Sequence, residues 1–151
     1  MMKYHFLGTK AFKLAAITSI FNLKYYDLKV YLDDNSYFDG SSLFALVCNA
    51  PYYGASFMPS PYSIIDDGFI ELILVKKINS LNFIKLMPLY KKGKHLSSKY
   101  VKSTSFKKAR IISDKMLVAN CDGEIFKTKE LNIEILEKVI NLAYIADYNR
   151  S

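Results

Sequence analysis

The sequence predicts a mainly β domain with one or two short helices. Three observations lead to this prediction: many short apolar runs rich in Ile, Leu and Val, turn-forming Asp, Asn and Gly residues between them, and only two segments with the spacing of an amphipathic helix. The chain has 151 residues, of which 51% are hydrophobic and 23% charged, a composition that excludes disordered and fibrous proteins. No repeat or linker divides it, so we expect residues 1–151 to form a single domain.

The first half of the chain combines one helical pattern with strand patterns. Apolar residues at positions i, i+3 and i+7 predict a helix over residues 10–22. Every second residue is apolar in residues 28–32, which predicts a strand, and Asp, Asp and Asn at 33–35 provide the turn to a second strand over residues 36–38. Residues 42–49 are mostly apolar, and we expect a separate strand there with both faces buried.

An irregular segment follows. Three prolines and a glycine predict a long loop over residues 50–63. Asp66, Asp67 and Gly68 then form a turn, and residues 69–76 have the composition of a strand.

The second half begins with a helix and continues with strands. Ser80 is expected to cap a helix over residues 81–92 that ends at Gly93 and is kinked or shortened by Pro88. Residues 139–145 fit helix or strand by periodicity. Further strands are expected at residues 100–101, 108–113, 115–121, 125–127 and 131–136.

Positive charge is concentrated in one span. The formal charge of the chain is +7, whereas residues 76–115 contain twelve Lys or Arg and one acid, Asp114, a net charge of +11. Such a surface suits phosphate, an anionic membrane surface or nucleic acid, and a solvated lysine-rich surface explains it equally well. No nucleic-acid motif accompanies the span, so we do not expect nucleic acid as a partner.

Several kinds of site are poorly supported by the sequence. The longest apolar stretches, residues 14–21 and 70–75, are far shorter than the roughly 20 residues that cross a bilayer, and residues 1–13 lack a signal-like apolar centre, so a cytoplasmic location is expected. Cys48 and Cys121 have no further metal-type ligands nearby, and we expect both to be buried and reduced. His95 lies among lysines and is expected on a solvated surface.

Carboxylates beside glycines are the most suggestive groups. Asp122, Gly123 and Glu124 form either a hairpin turn or a carboxylate pair that accepts a proton from a hydroxyl during phosphoryl transfer, and the local sequence does not decide between them. Asp66 and Asp67 likewise form a turn or a site for a hard cation such as Mg²⁺. A glycine-rich cradle for ATP phosphates is missing from the sequence.

Three segments carry a resemblance to a known family. They are Asn-Ala-Pro-Tyr-Tyr-Gly at 49–54 with Pro61 after it, the stretch 61–68 that ends in Asp-Asp-Gly, and Asn-Cys-Asp-Gly-Glu at 120–124 with the apolar residues 131–136 after it. In this order and spacing they resemble the C-terminal domain of the diacylglycerol kinase-like lipid kinases, over about residues 10–145.

The resemblance implies a β-sandwich-like domain that handles the lipid acceptor of an ATP-dependent kinase, with Mg²⁺ as cofactor. By position, Asp122 matches the aspartate that acts as base on the lipid hydroxyl, and Glu124 matches the acid beside it. Asp67 matches the aspartate of a structural cation site, with Asp66 adjacent. The resemblance also favours strand for residues 139–145.

Two departures from the family pattern limit these expectations. Ala55 and Ser56 stand where the family has further glycines, and the family's Gly-Gly-Asp-Gly-Thr nucleotide motif has no counterpart in the sequence. ATP would therefore reach the site only through a separate N-terminal nucleotide-binding domain, and we expect residues 1–151 to be inactive alone.

Three functions remain open from the sequence. The first is the acceptor-side domain of a lipid kinase, peripheral to the membrane. The alternative is a non-catalytic module that binds anionic lipid or phosphate through the basic span. The third is a nucleic-acid binder, suggested by the basic span and twelve tyrosines but lacking a motif.

Overall fold

The computed structural model describes residues 23–53, 57–137 and 139. The helix expected over residues 10–22 and most of the segment 139–145 lie outside this part of the chain. The described residues form a six-stranded antiparallel sheet of order β4-β3-β2-β1-β5-β6, the helix α1 and one turn of 3₁₀ helix. Their bounds are β1 Tyr26–Leu32, β2 Asn35–Cys48, β3 Ile70–Lys76, α1 Ser80–Lys91, 3₁₀ His95–Ser97, β4 Val101–Phe106, β5 Lys108–Cys121 and β6 Glu124–Glu134.

The first hairpin is confirmed, with a tighter turn and a longer second strand than expected. Asp33 and Asp34 have φ of 47° and 66°, so these two residues alone make the turn. The two strands expected over residues 36–38 and 42–49 are one strand, β2, because Gly40 stays paired with β1. The expectation that both faces are buried is wrong, since most β2 side chains are half-buried at the edges of two apolar clusters.

The second long hairpin also merges strands that the sequence separates. β5 continues through Asp114 and Lys115, because an irregularity between Ile112 and Leu117 accommodates the extra residues against β6. β6 likewise runs unbroken from Glu124 to Glu134.

α1 follows β3 and covers one face of the sheet. Its N-cap is Asn79, whose side-chain oxygen accepts a 2.9 Å hydrogen bond from the Asn82 backbone N–H, so the expectation that Ser80 caps the helix is wrong by one residue. The helix is not shortened, because Pro88 lies inside it and three further residues remain helical. Gly93, with φ of 67°, ends it as predicted.

The connection between β4 and β5 shows that the sheet curls. Only Lys107 separates the two strands, yet β3, β2 and β1 lie between them in the sheet. In a flat sheet β4 and β5 would be about 19 Å apart, whereas two residue steps span at most about 7 Å. The sheet must therefore curl until β4 and β5 come together at Lys107.

This curl encloses the main core and confirms the sandwich-like, mainly β fold. Fully buried side chains from both halves of the sheet pack together, among them Val30, Leu72, Leu74, Phe106 and Ile111. A second apolar cluster, which includes Ile73, Val75 and Leu86, fills the space between the sheet and α1.

Candidate functional site

The candidate carboxylates lie at the tip of the β5–β6 hairpin. β5 ends at Cys121 and β6 begins at Glu124, so Asp122 and Gly123 make a two-residue turn with φ of 47° and 101°. The Asn120 side-chain oxygen accepts a 2.9 Å hydrogen bond from the Gly123 backbone N–H and stabilises this turn. The predicted hairpin turn is thus present.

Both carboxylates of this turn face solvent. Among the described residues, the side chains of Asp122 and Glu124 have no hydrogen-bond or ion-pair partner. The same end of the hairpin exposes large apolar side chains, namely Met116, Val118, Ile125 and Phe126, of which Ile125 is 70% exposed. A carboxylate pair therefore lies beside uncovered apolar surface, where a ligand or another domain would remove both from water.

The second pair of candidates, Asp66 and Asp67, forms the turn before β3. Asp67 Oδ1 accepts a 2.9 Å hydrogen bond from the Phe69 backbone N–H, and Gly68 has φ of 78°. The backbone of Gly68 lies so close to Glu137 that an added Cβ would be 2.7 Å from its Oε1. The described residues hold no group of three or more His, Cys, Asp or Glu able to bind a metal ion.

The two candidate pairs lie near opposite ends of β6. The Asp122 turn directly precedes Glu124, the first residue of β6, whereas Gly68 lies against Glu137, three residues beyond its last residue, Glu134. The strand spans about 33 Å at 3.3 Å per residue. Within the described part of the chain, the proposed base and the proposed cation ligands are therefore not brought together.

A buried acid that the sequence argument did not select lies on β3. Glu71 is 8% exposed, and its carboxylate accepts hydrogen bonds from Ser63 Oγ at 2.6 Å and Ser105 Oγ at 3.3 Å. Ser63 is also hydrogen-bonded to Ser60, which is buried. The sequence feature that could have identified Glu71 is that it is the single acid within the apolar run of residues 70–75.

The expectations for His95 and one cysteine are wrong. His95 is 1% exposed, because the 3₁₀ turn packs its ring against Tyr90 with 4.9 Å between ring centroids. Burial lowers the pKa of His95, whereas the backbone of Pro59 raises it to a smaller extent. Neither ring nitrogen of His95 forms a hydrogen bond with the described residues. Cys121 is exposed because β5 extends beyond the core, while Cys48 is half-buried.

The basic span divides into paired and unpaired cations. Lys107, Lys108 and Arg110 form exposed ion pairs with Glu137, Glu134 and Glu130 respectively, at 2.8 to 3.0 Å. Each hydrogen-bonded carboxylate raises the pKa of its basic partner. Nine of the twelve basic residues of the span are therefore not ion-paired, since no other lysine of the described residues has a carboxylate within 4.0 Å.

Comparison with known proteins decides the family. The model of the YegS C-terminal NAD kinase beta sandwich-like domain matches residues 2–144. The chain belongs to this family. The resemblance to the C-terminal domain of diacylglycerol kinase-like lipid kinases, stated from three short segments, is confirmed.

Curated relatives of this family match the chain over part of their own length. A probable lipid kinase YegS-like protein from Shewanella frigidimarina (strain NCIMB 400) is 26% identical over 135 residues, which are 89% of this chain and 43% of the relative. The diacylglycerol kinase of Bacillus subtilis (strain 168) is 26% identical over 119 residues, 78% of this chain and 39% of the relative. The chain thus spans about two fifths of these proteins.

Solved structures share the fold. A crystal structure of a diacylglycerol kinase from Bacillus anthracis str. Sterne is 19% identical, with a TM-score of 0.62, and the match covers 80% of this chain and 43% of that one. A second structure from the same organism is 24% identical, with a TM-score of 0.63, over 82% of this chain and 40% of that one. Among residues 23–53, 57–137 and 139, no helix has the length and hydropathy needed to cross a bilayer.

Proposed function

We propose that this chain is the acceptor-side domain of an ATP-dependent lipid kinase, which transfers a phosphoryl group from ATP to the hydroxyl of a diacylglycerol-like lipid. Support comes from family membership and from curated relatives named as a lipid kinase and a diacylglycerol kinase. Within the chain, the proposal rests on one observation: Asp122 and Glu124 are unpartnered carboxylates beside exposed apolar side chains at the end of the β5–β6 hairpin.

In the proposed reaction, Asp122 accepts the proton of the lipid hydroxyl while the oxygen of that hydroxyl attacks the γ-phosphorus of ATP. The bond from that phosphorus to the bridging oxygen breaks, and ADP leaves. Glu124, two residues away along the hairpin, would orient the hydroxyl or a bound metal ion. The exposed side chains of Ile125 and Phe126 would contact the acyl chains or the companion domain.

The cation and the nucleotide have different places in this proposal. Asp66 and Asp67 would hold a hydrated Mg²⁺ through carboxylate oxygens and so stabilise the turn before β3, because Mg²⁺ keeps several waters and accepts one or two carboxylates. ATP would be held by a separate nucleotide-binding domain, since the sequence has no glycine-rich phosphate cradle. Residues 1–151 alone would then be inactive, because nothing positions ATP against the acceptor.

The test measures the transfer of radiolabelled phosphate from ATP to dioleoylglycerol and to sphingosine in mixed micelles with Mg²⁺. The chain is assayed alone and with the part of the Bacillus subtilis relative that lies outside the matched region. We expect transfer only in the combination. In that combination, Asp122→Asn should lower the rate by about 10² or more, the usual contribution of a general base.

The matched control is Asp114→Asn, which removes an exposed carboxylate on β5, away from the turn, and should leave the rate unchanged. Transfer by the chain alone would contradict the need for a partner. Restored activity that survives Asp122→Asn would remove Asp122 from the role of base. No activity in any combination would contradict the kinase proposal itself.

A further inference from the structure

An open groove lies on a part of the fold that the proposed kinase chemistry does not use. It has a volume of about 460 Å³ and lies between the middle of β2, the end of β3 and the segment before β4. Three lysines, Lys76, Lys77 and Lys99, line it together with the rings of Phe38 and Tyr100. None of its lining residues belongs to β5 or β6, so the groove is distinct from the Asp122 turn.

Backbone hydrogen bonds fix the positions of the chain segments that line the groove. The Lys76 N–H donates to the Tyr100 carbonyl at 2.8 Å, and the Lys77 N–H donates to the Ser41 carbonyl at 2.9 Å. These bonds join the end of β3 to both flanking segments. Two of the three joined segments, the end of β3 and the segment before β4, therefore present their lysines to the same groove in a fixed arrangement.

Two of the three ammonium groups lie beside aromatic rings instead of carboxylates. Lys99 Nζ is 5.3 Å from the centroid of the Tyr100 ring, and Lys77 Nζ is 5.5 Å from that of Tyr25. Lys102 adds a fourth cation at the margin, where its Nζ donates to the Tyr37 carbonyl at 3.2 Å and lies 5.8 Å from the centroid of Phe38, a groove residue.

No carboxylate of the described residues forms an ion pair with the groove lysines. None of the lining residues is acidic, and within the described residues none of the three groove lysines has an acid within 4.0 Å. Asp27 lies at the edge of the groove, where it accepts a hydrogen bond from Ser41 Oγ, a lining residue. Strand alternation places Asp39 on the face opposite Phe38, paired in register with Lys29. Three like charges thus share one concavity, an arrangement that a bound anion would stabilise.

We infer that this groove binds a phosphate monoester, either a soluble organic phosphate or the headgroup of a phosphorylated lipid. A monoester carries a charge of about −1.5 to −2 at pH 7 and three acceptor oxygens, which match three ammonium donors. A phosphodiester carries only one charge. The inference does not depend on the proposed kinase role, and it assigns the groove a ligand whether or not the chain takes part in catalysis.

The test uses the full chain and two probes. The first is glycerol 3-phosphate, followed by NMR through the amide resonances of Gly40 and Tyr100, with glycerol as the uncharged comparison. The second is sedimentation with phosphatidylcholine vesicles that contain phosphatidic acid, a monoester, or phosphatidylglycerol, a diester. Because the second ionisation of a phosphate monoester has a pKa of about 6, monoester binding should strengthen as the pH rises through that value, whereas diester binding should not change.

Substitution of single lysines tests whether the monoester binds in the groove. We expect Lys77→Gln and Lys99→Gln each to weaken monoester binding about fivefold, the usual effect of one lysine near an anionic surface. Lys127→Gln, at an exposed position of β6, is the matched control and should have no effect. Thermal melting followed by circular dichroism checks that the variants remain folded.

The outcomes separate the two sources of the ligand. Binding of glycerol 3-phosphate without vesicle binding would identify a soluble monoester, and preference for phosphatidic acid vesicles would identify a lipid headgroup. The inference is overturned if neither monoester binds, if phosphatidylglycerol binds as tightly as phosphatidic acid, or if Lys127→Gln weakens binding as much as the groove variants do.

Discussion

The carboxylate of Glu71 on β3 accepts a 2.6 Å hydrogen bond from the hydroxyl of Ser63, a residue of the irregular loop between β2 and β3. Both side chains are buried, and Ser63 is also hydrogen-bonded to Ser60 at 2.7 Å. A loop rich in proline, which makes few backbone hydrogen bonds of its own, is thereby fixed to a central strand of the sheet.

This contact predicts the effect of removing the Ser63 hydroxyl. Ser63→Ala should lower the free energy of unfolding by about 2 kcal/mol, because a buried carboxylate loses its shortest hydrogen bond. Urea denaturation measures the change. Ser103→Ala, at an exposed position of β4, is the control and should change the free energy by less than about 0.5 kcal/mol. Equal effects of the two substitutions would show that the Glu71 contact contributes nothing.

The buried imidazole of His95 predicts a pH dependence of stability. Burial lowers the pKa of His95 below its ordinary 6.5, so the unfolded chain takes up a proton at a higher pH than the folded protein does. The free energy of unfolding should therefore be insensitive to this group above about pH 6.5 and should decrease as the pH falls below that value. Denaturation midpoints between about pH 5 and about pH 8 measure it.

Two variants assign this dependence to His95. His95→Phe keeps a ring against Tyr90 and should remove the decrease at low pH, whereas substitution of the other histidine, His5→Asn, should preserve it. If His95→Phe does not fold, titration of the His95 ring resonances by NMR gives the pKa directly. A pKa at or above 6.5 would contradict the prediction.

The two cysteines should react at very different rates. Burial and the negative charge of Glu71 raise the pKa of Cys48 to about 11, so at about pH 8 only about one molecule in a thousand carries the reactive thiolate. Cys121 is exposed at the end of β5. Labelling with a disulfide reagent such as DTNB should show a single fast thiol that Cys121→Ser removes and Cys48→Ser leaves unchanged. A fast phase that persists in Cys121→Ser would contradict the burial of Cys48.

Gly93 should tolerate no side chain at the end of α1. Its φ of 67° disfavours other residues by about 1–2 kcal/mol, and an added Cβ would lie 2.6 Å from Met58 Sδ and 3.1 Å from Pro61 Cβ. Gly93→Ala should therefore lower the free energy of unfolding by more than about 1 kcal/mol in urea denaturation. Met58→Ala introduced into the same chain should recover part of that loss, and strictly additive effects of the two substitutions would show that the contact with Met58 is unimportant.

The turns could be predicted from the sequence because local chemistry determines them. Asp33, Asp34, Gly68, Asp122 and Gly123 all adopt positive φ, a conformation that Gly favours and that Asp tolerates better than most residues. The continuity of the long strands could not be predicted in the same way. Whether a strand passes through Gly40 or Asp114 depends on pairing with β1 and β6, residues far away in the sequence.

Burial and the surroundings of the candidate site were harder to predict than the turns. The lysines around His95 suggested a solvated surface, but the ring packs against Tyr90, a tertiary contact that no local pattern encodes. The hairpin turn at Asp122 and Gly123 could be predicted from the sequence, while the chemical role of its carboxylates stays a prediction that depends on groups the hairpin itself does not provide.

The curl of the sheet at Lys107 also has a consequence for how fast the domain folds. Asp33 Oδ1 accepts hydrogen bonds from the backbone N–H groups of Lys107 at 3.0 Å and Lys108 at 2.9 Å, residues 74 and 75 positions away along the chain. These bonds form only after a loop of that length has closed, so the chain loses conformational entropy before these contacts stabilise the fold. We therefore expect the meeting of the first hairpin with the β4–β5 connection to limit the folding rate, and the Lys107 and Lys108 amides should gain protection from hydrogen exchange in that same step.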